Sequence, residues 1–123
     1  MRRAARVALS PTFTAVLAAV VATGLSACGG AQTEQRTIDA ARVGAANGFA
    51  PNTITVDKRN RVQLKIGNTT DGLHGFSIEG YGIHEEVSPG NVKDVDFTAT
   101  NAGTYKVYCQ LHEGHQTATL VVR

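Results

Sequence analysis

Apolar and polar residues alternate along most of the chain beyond its N-terminal leader. Val62, Leu64 and Ile66 alternate with charged and amide residues, and Ile54 and Val56 alternate with threonines. A period of two is typical of strands that have one face in a core and the other in water. No stretch of the mature chain has the apolar period of a helix, so the pattern indicates an all-β domain.

Residues that favour turns interrupt this alternation at short intervals. They cluster at positions 57–60, 68–72, 88–90 and 101–103, where Gly, Pro, Asn and Asp are concentrated. Turn signals at this spacing predict about seven or eight short strands, arranged as a Greek-key β-sandwich. We expect this domain to cover residues 37–123.

The N-terminus differs from the rest in character. It begins with the basic run MRRAAR and continues into an apolar stretch without acidic residues, so residues 1–27 are predicted to be an export signal. The signal ends in Leu25-Ser26-Ala27-Cys28, which resembles the lipobox of bacterial lipoproteins. This resemblance implies cleavage before Cys28 and lipid on its sulfur. A retained membrane helix and an ordinary signal with an unmodified Cys28 are the alternatives.

Residues 28–36 are small or polar and predict a flexible tether between lipid and domain. The formal net charge of +2 is too small to indicate a nucleic-acid partner. Three of the 12 basic residues lie in the leader, so the remainder carries 9 basic against 10 acidic residues. Lipidation of Cys28 would leave Cys109 as the single thiol of an exported domain, where a metal is a common reason to keep one.

All four histidines lie between positions 74 and 115, and three of them flank or follow the motifs that contain this cysteine. Cys109, His112 and His115 have the spacing Cys-x2-His-x2-His, on a loop between two predicted strands at 104–109 and 117–122. His74 shares a strand face with the core residue Phe76. A thiolate combined with imidazoles suits copper or zinc.

Residues 37–123 resemble the cupredoxins. The similarity is carried by the segment NTTDGLHGFSI at 68–78 and by the Cys-x2-His loop. It implies one copper ion that cycles between Cu(II) and Cu(I), with His74, Cys109 and His112 as ligands. The block LHGFSIEGYGI is similar to the dinuclear copper domain of cytochrome oxidase subunit II, but Glu113 stands where that centre needs a second cysteine. We therefore expect a mononuclear site.

The fourth ligand is left open by the sequence. The loop is spaced as in amicyanin, with His115 in place of the axial methionine, and the only methionine of the chain is Met1. His115 is therefore our first candidate. A carboxylate, as in the red copper relative nitrosocyanin, is the competitor and would be Glu85 or Glu86, and His84 is the third option. An imidazole or a carboxylate here predicts a green or red site of low potential.

The expected function is that of a one-electron carrier outside the cytoplasmic membrane, at the periplasmic face or the outer cell surface. Its partners would be the lipid bilayer, through acylated Cys28, and a cytochrome or oxidase. We favour an electron carrier or copper-binding protein over an enzyme. The alternatives are copper tolerance, buffering or delivery, and a nitrosocyanin-like role in small-molecule binding or catalysis, which requires an open position on the metal.

Overall fold

The computed structural model describes residues 30–123, so the predicted signal at 1–27 and its Cys28 lie outside the described residues. Within residues 30–123 there are nine strands and no helix, and hence no helix that could cross a membrane. The strands are β1 (Thr33–Val43), β2 (Ala46–Ala50), β3 (Thr53–Val56), β4 (Arg61–Asn68), β5 (His74–Ile78), β6 (Ile83–Val87), β7 (Val92–Thr98), β8 (Gly103–Tyr108) and β9 (Ala118–Val122).

The strands form two sheets that face one another. One has four strands in the order β2-β1-β4-β7, and the other has five in the order β3-β9-β8-β5-β6. This confirms the predicted β-sandwich, with nine strands where seven or eight were expected. The pairings β1–β4 and β3–β9 are parallel, whereas the alternation of apolar and polar residues predicts antiparallel strands. Parallel pairing depends on contacts between distant segments, which the local pattern does not encode.

Strand β1 begins inside the segment that the sequence predicts to be a tether. Thr33 pairs with Arg61, and the pairing with β4 continues to Ala40 opposite Asn68. The polar residue Glu34 helps to hold this start, because its carboxylate accepts hydrogen bonds from Asp57 N and Asn60 Nδ2, both at 2.7 Å. Strand β1 therefore starts at Thr33, four residues before the predicted domain boundary at residue 37.

The core lies between the sheets and follows the predicted alternation. Val62, Leu64 and Ile66 of β4 are at most 1% exposed, and Ile54 and Val56 of β3 are at most 3% exposed. Burial of these aliphatic side chains contributes about 1.5–3 kcal/mol each. Strand β5 is buried along its whole length, because its second face is also covered.

The two ends of the sandwich differ in what they contain. At one end, Arg61 N donates to Gln32 O, and Lys58 N donates to Arg123 O, both at 2.8 Å. The turn between β3 and β4 therefore contacts both the residue before β1 and Arg123. At the opposite end, Asn68 closes β4 beside the loop that leads to His74.

Candidate metal centre

His74 is the first residue of β5, and a buried asparagine fixes the loop before it. Asn68, only 2% exposed, donates from Nδ2 to Gly72 O at 2.8 Å and to Val87 O at 2.7 Å. Its Oδ1 accepts from Thr70 N at 2.9 Å. Since Val87 pairs directly with His74, Asn68 connects the loop to the strand beside this histidine. His74 itself is 3% exposed.

Cys109 follows β8 and turns its sulfur toward β5. Its Sγ accepts a hydrogen bond from Gly75 N at 3.2 Å, and the residue is 6% exposed. This hydrogen bond directs the sulfur toward the start of β5, where His74 lies. The thiol is therefore buried beside His74, where the two residues can bind the same metal ion.

His112 and His115 lie in the loop between β8 and β9 but in different environments. His112 is exposed, and its Nδ1 lies 3.4 Å from Cys109 Sγ. His115 is 8% exposed and packs on Phe49, with ring centroids 4.5 Å apart. The loop is anchored where Gln116 N donates to Asn47 O at 2.8 Å.

These side chains converge on one point. The donor atoms of His74, Cys109 and His112 lie within 4.8 Å of one another, which makes them the one such group of His, Cys, Asp or Glu within residues 30–123. The His115 ring lies beside this group, with its centroid 4.9 Å from that of His74. The His74 and His112 centroids are 5.1 Å apart.

Two ring nitrogens at the site are buried without a hydrogen-bond partner, namely His74 Nδ1 and His115 Nε2. Burial lowers the pKa of His74 below its ordinary value, and His115 and His112 nearby lower it further against a weaker opposing effect of Asp71. Burial also lowers the pKa of His115. Both imidazoles are therefore held neutral, the form that binds metals. A thiolate with imidazoles whose nitrogens lack partners fits a copper ion.

The other three candidates for a fourth ligand lie outside this group. His84 Nδ1 is 2.9 Å from Ser77 Oγ, on the outer face of the five-stranded sheet. The carboxylate of Glu85 pairs with Lys93 at 2.8 Å. Glu86 is exposed opposite Gly75 on β5. None of these three residues belongs to the group of converging donors found within residues 30–123.

Several residues that shape the site were not identified from the sequence. The Gly75 amide acts through its backbone, and Gln110 and Ser77 act through hydrogen bonds across strands. A glycine next to a candidate ligand was the one local signal, since a side chain at Gly75 would overlap the Gln110 carboxamide. Asn68 had a signal in its turn, but its partners are distant in sequence.

Two relatives of the sequence are cytochrome c oxidase subunits. Over 82 residues this chain is 38% identical to cytochrome c oxidase subunit 2 of Thermus thermophilus. This alignment covers 63% of the present chain and 60% of the relative. The same identity holds for the subunit from strain ATCC 27634, of which 48% is covered. The chain thus spans about half the length of the curated relatives it matches.

Solved structures share the fold. Auracyanin A of Chloroflexus aurantiacus, described as a "blue" copper protein, superposes with a TM-score of 0.61 at 17% identity, over 74% of this chain and 99% of that one. The metal binding domain of the Cu(I) exporting P-type ATPase of Streptococcus pneumoniae D39 superposes with a TM-score of 0.64 at 18% identity. The superposition covers 76% of this chain and 94% of that one. At these identities the likeness concerns the fold alone.

Residues 14–122 match the family of cupredoxin-like domains. This match covers both sheets and every residue of the converging His, Cys, His group. The chain therefore belongs to the cupredoxin family, and its domain binds copper.

Proposed function

We propose that this cupredoxin is a membrane-anchored one-electron carrier with a mononuclear copper site, working outside the cytoplasmic membrane. Copper supplies the exchange of one electron between Cu(II) and Cu(I). The observation that carries the proposal is the buried group of His74, Cys109 and His112 at the end of a rigid sandwich, with one of its members open to solvent.

His115 is proposed as the fourth ligand. Its Nδ1 lies 2.9 Å from Gln116 O, so the ring donates its proton there and keeps a free electron pair on Nε2. That Nε2 is buried and has no partner. Leaving a buried polar atom unpaired costs about 1–3 kcal/mol, a cost that coordination would remove. Glu85 and His84 have partners of their own, which counts against them.

A single copper ion is supported by the thiol content of the folded part. Cys109 is the free cysteine of residues 30–123, and Glu113 occupies the position four residues later. Glu113 is exposed rather than directed into the cluster. One thiolate with three imidazoles supplies a complete donor set for one ion.

The surface around His112 suits brief contact with a redox partner. Leu73 and Leu111 each precede a proposed ligand in the chain, and they are 42% and 40% exposed. They give this end an apolar rim beside the exposed imidazole of His112. Electron-transfer complexes are small and short-lived, and an apolar contact around an exposed ligand meets that need. A cytochrome or an oxidase is the expected partner.

The direction of β1 is consistent with a lipid anchor at Cys28. Thr33 pairs with Arg61 at the end of the sandwich opposite Asn68, and Asn68 bonds the loop before His74. A tether that enters at Thr33 would hold the copper end away from the membrane. The ligand end would then be free to meet a partner in the periplasm or at the cell surface.

The first test is titration of the purified domain with Cu(II), followed by absorption and paramagnetic resonance spectra. We expect one copper per chain, a thiolate charge-transfer band and a reversible one-electron potential. Rapid exchange with a reduced cytochrome would support electron transfer. Absence of a thiolate band in the loaded protein would contradict the proposal.

Two further measurements separate the alternative roles. If deletion of the gene altered copper sensitivity and left respiration normal, the role would be copper tolerance, buffering or delivery rather than electron transfer. Azide or nitric oxide that changes the spectrum would indicate an open coordination position and a nitrosocyanin-like role. With His115 bound, we expect neither ligand to change the spectrum.

A further inference from the structure

A chain of hydrogen bonds on the outer face of the five-stranded sheet ends beside the thiol. His84 Nδ1 lies 2.9 Å from Ser77 Oγ, and Ser77 Oγ lies 2.8 Å from Gln110 Oε1. Gln110 Nε2 in turn lies 2.9 Å from the carbonyl oxygen of Glu85. The chain therefore joins β5 and β6 to the residue that follows Cys109.

The hydrogen bonds of this series all run in one direction from donor to acceptor. Gln110 Nε2 donates to Glu85 O, so its Oε1 faces Ser77 and can only accept. A serine hydroxyl has one proton, and Ser77 must give it to Gln110. Ser77 Oγ therefore accepts from His84, which holds its proton on Nδ1. Because Ser77 is 0% exposed, water does not compete for these bonds.

This chain begins where the backbone pairing of two strands stops. Strands β5 and β8 pair at Ile78 opposite Val107 and at Ser77 opposite Tyr108. Beyond that point, the Gly75 N–H bond to Cys109 Sγ and the Gln110 side chain connect them. The Gln110 carboxamide lies against Gly75 so closely that a Cβ there would overlap it. Gln110 thus takes the place of the missing backbone bonds at the cysteine.

We propose that Gln110 is a positioning residue for the Cys109 sulfur, and that Ser77 and His84 fix its carboxamide. By holding the end of β8 against β5, Gln110 keeps Cys109 Sγ at the Gly75 amide. This inference rests on the proposed copper site, since only there does the sulfur act as a ligand. Hydrogen bonds to a ligand sulfur tune the metal potential, because they withdraw electron density from it.

The first experiment uses the metal-free protein and so does not depend on copper. Gln110→Ala should speed both hydrogen exchange of the Gly75 amide and alkylation of Cys109 by about tenfold, the effect of one lost hydrogen bond. Ser77→Ala should have a smaller effect and His84→Ala the smallest. Gln35→Ala is the matched control, because it removes a glutamine hydrogen bond on the other sheet, to Gln63.

The Val107 amide serves as an internal reference. Val107 lies within the paired part of β8, so a general loss of stability would speed its exchange together with that of Gly75. A positioning role predicts faster exchange at Gly75 with little change at Val107. Rates at Gly75 and Cys109 within about twofold of the parent, with Gln110→Ala folded, would overturn the inference. If Gln110→Ala does not fold, unchanged rates in Ser77→Ala would overturn it.

Copper-loaded variants supply the second readout. A weaker Gly75 bond to sulfur should make the thiolate a stronger donor to Cu(II) and lower the potential, by about 59 mV for each tenfold change in the relative affinity for the two oxidation states. A parent protein that does not bind copper, with the metal-free rates still changed, would refute the proposed function and leave the positioning role intact. The opposite pair of results would refute only the positioning role.

Discussion

His74 and His115 have rings whose centroids lie 4.9 Å apart, and they differ in which ring nitrogen lacks a partner. His74 leaves Nδ1 without a partner, whereas His115 leaves Nε2, because its Nδ1 bonds Gln116 O. Nε2 lies farther from the backbone than Nδ1 does, so His115 can reach the site from the far side of its loop. The tautomer of His115 thus leaves free the ring nitrogen that extends farthest from the loop.

Replacement of Cys109 by Ser tests the origin of the colour. The serine is nearly the same size and the site is buried, so the fold should persist with a stability change of about 1 kcal/mol. The thiolate charge-transfer band should disappear, because a hydroxyl does not supply it. Circular dichroism checks the fold and absorption checks the band. A coloured Cys109→Ser protein would mean that another group binds the metal.

Replacement of His115 by Met tests the fourth ligand. An imidazole binds Cu(II) more firmly than a thioether, so the methionine variant should have a bluer spectrum and a higher potential. Gln35→Met is the matched control, since Gln35 is exposed on the other sheet and bonds Gln63. A potential that stays the same in His115→Met would exclude His115 as a ligand.

At the scale of elements, the short connections carry much of the site. The loop from β4 to β5 is organised around Asn68, and the loop from β8 to β9 is anchored at Asn47. Neither loop has a regular backbone ladder. Side-chain hydrogen bonds supply the order that strands obtain from pairing.

Loss of the Asn68 side chain should therefore destabilise the domain. Asn68→Ala leaves the carbonyls of Gly72 and Val87 without its two bonds, at a cost of about 2–3 kcal/mol in the free energy of unfolding. The urea midpoint of the metal-free protein measures it. Asn52→Ala is the control, because its exposed amide makes only a long contact with Thr53 at 3.4 Å. Equal midpoints for the two variants would contradict this account.

The strands could be predicted from sequence because their alternation is local. Apolar residues such as Leu64 and Ile66 indicate the buried face of a strand, and turn residues indicate where each strand ends. The first part of β1 could not be predicted, since Thr33 and Glu34 are held by pairing with β4 and by a carboxylate bond to a distant turn.

The same distinction applies to the site. Cys109 and His112 are three residues apart, so their spacing predicts their meeting, and family resemblance adds His74. Gln110 and Ser77 lie 33 residues apart, and nothing in their local sequence marks the bond between them. Interactions of this kind depend on which strands become neighbours, and that is known only once the sheet is formed.

At the scale of the whole molecule, the metal and the fold stabilise one another. Binding to the folded state alone raises stability by about 2.7 kcal/mol when free metal is 100 times the dissociation constant. It would also give partners to the buried nitrogens of His74 and His115.

Removal of the metal should therefore lower the melting temperature, and addition of Cu(I) to the metal-free protein should restore it. His74→Ala should lose this increment, while the exposed control Gln35→Ala on the other sheet should keep it. Calorimetry measures the difference. An increment of the same size in His74→Ala would mean that the metal binds elsewhere.

The turn between β3 and β4 contacts both Gln32 and Arg123, so the two ends of the folded domain emerge side by side, opposite the ligands. A domain with this geometry can be fused to another protein, or inserted into one, through a single attachment point. It can likewise be fixed to an electrode from either terminus with the same orientation. In each case the end that carries His74, Cys109 and His112 is left uncovered.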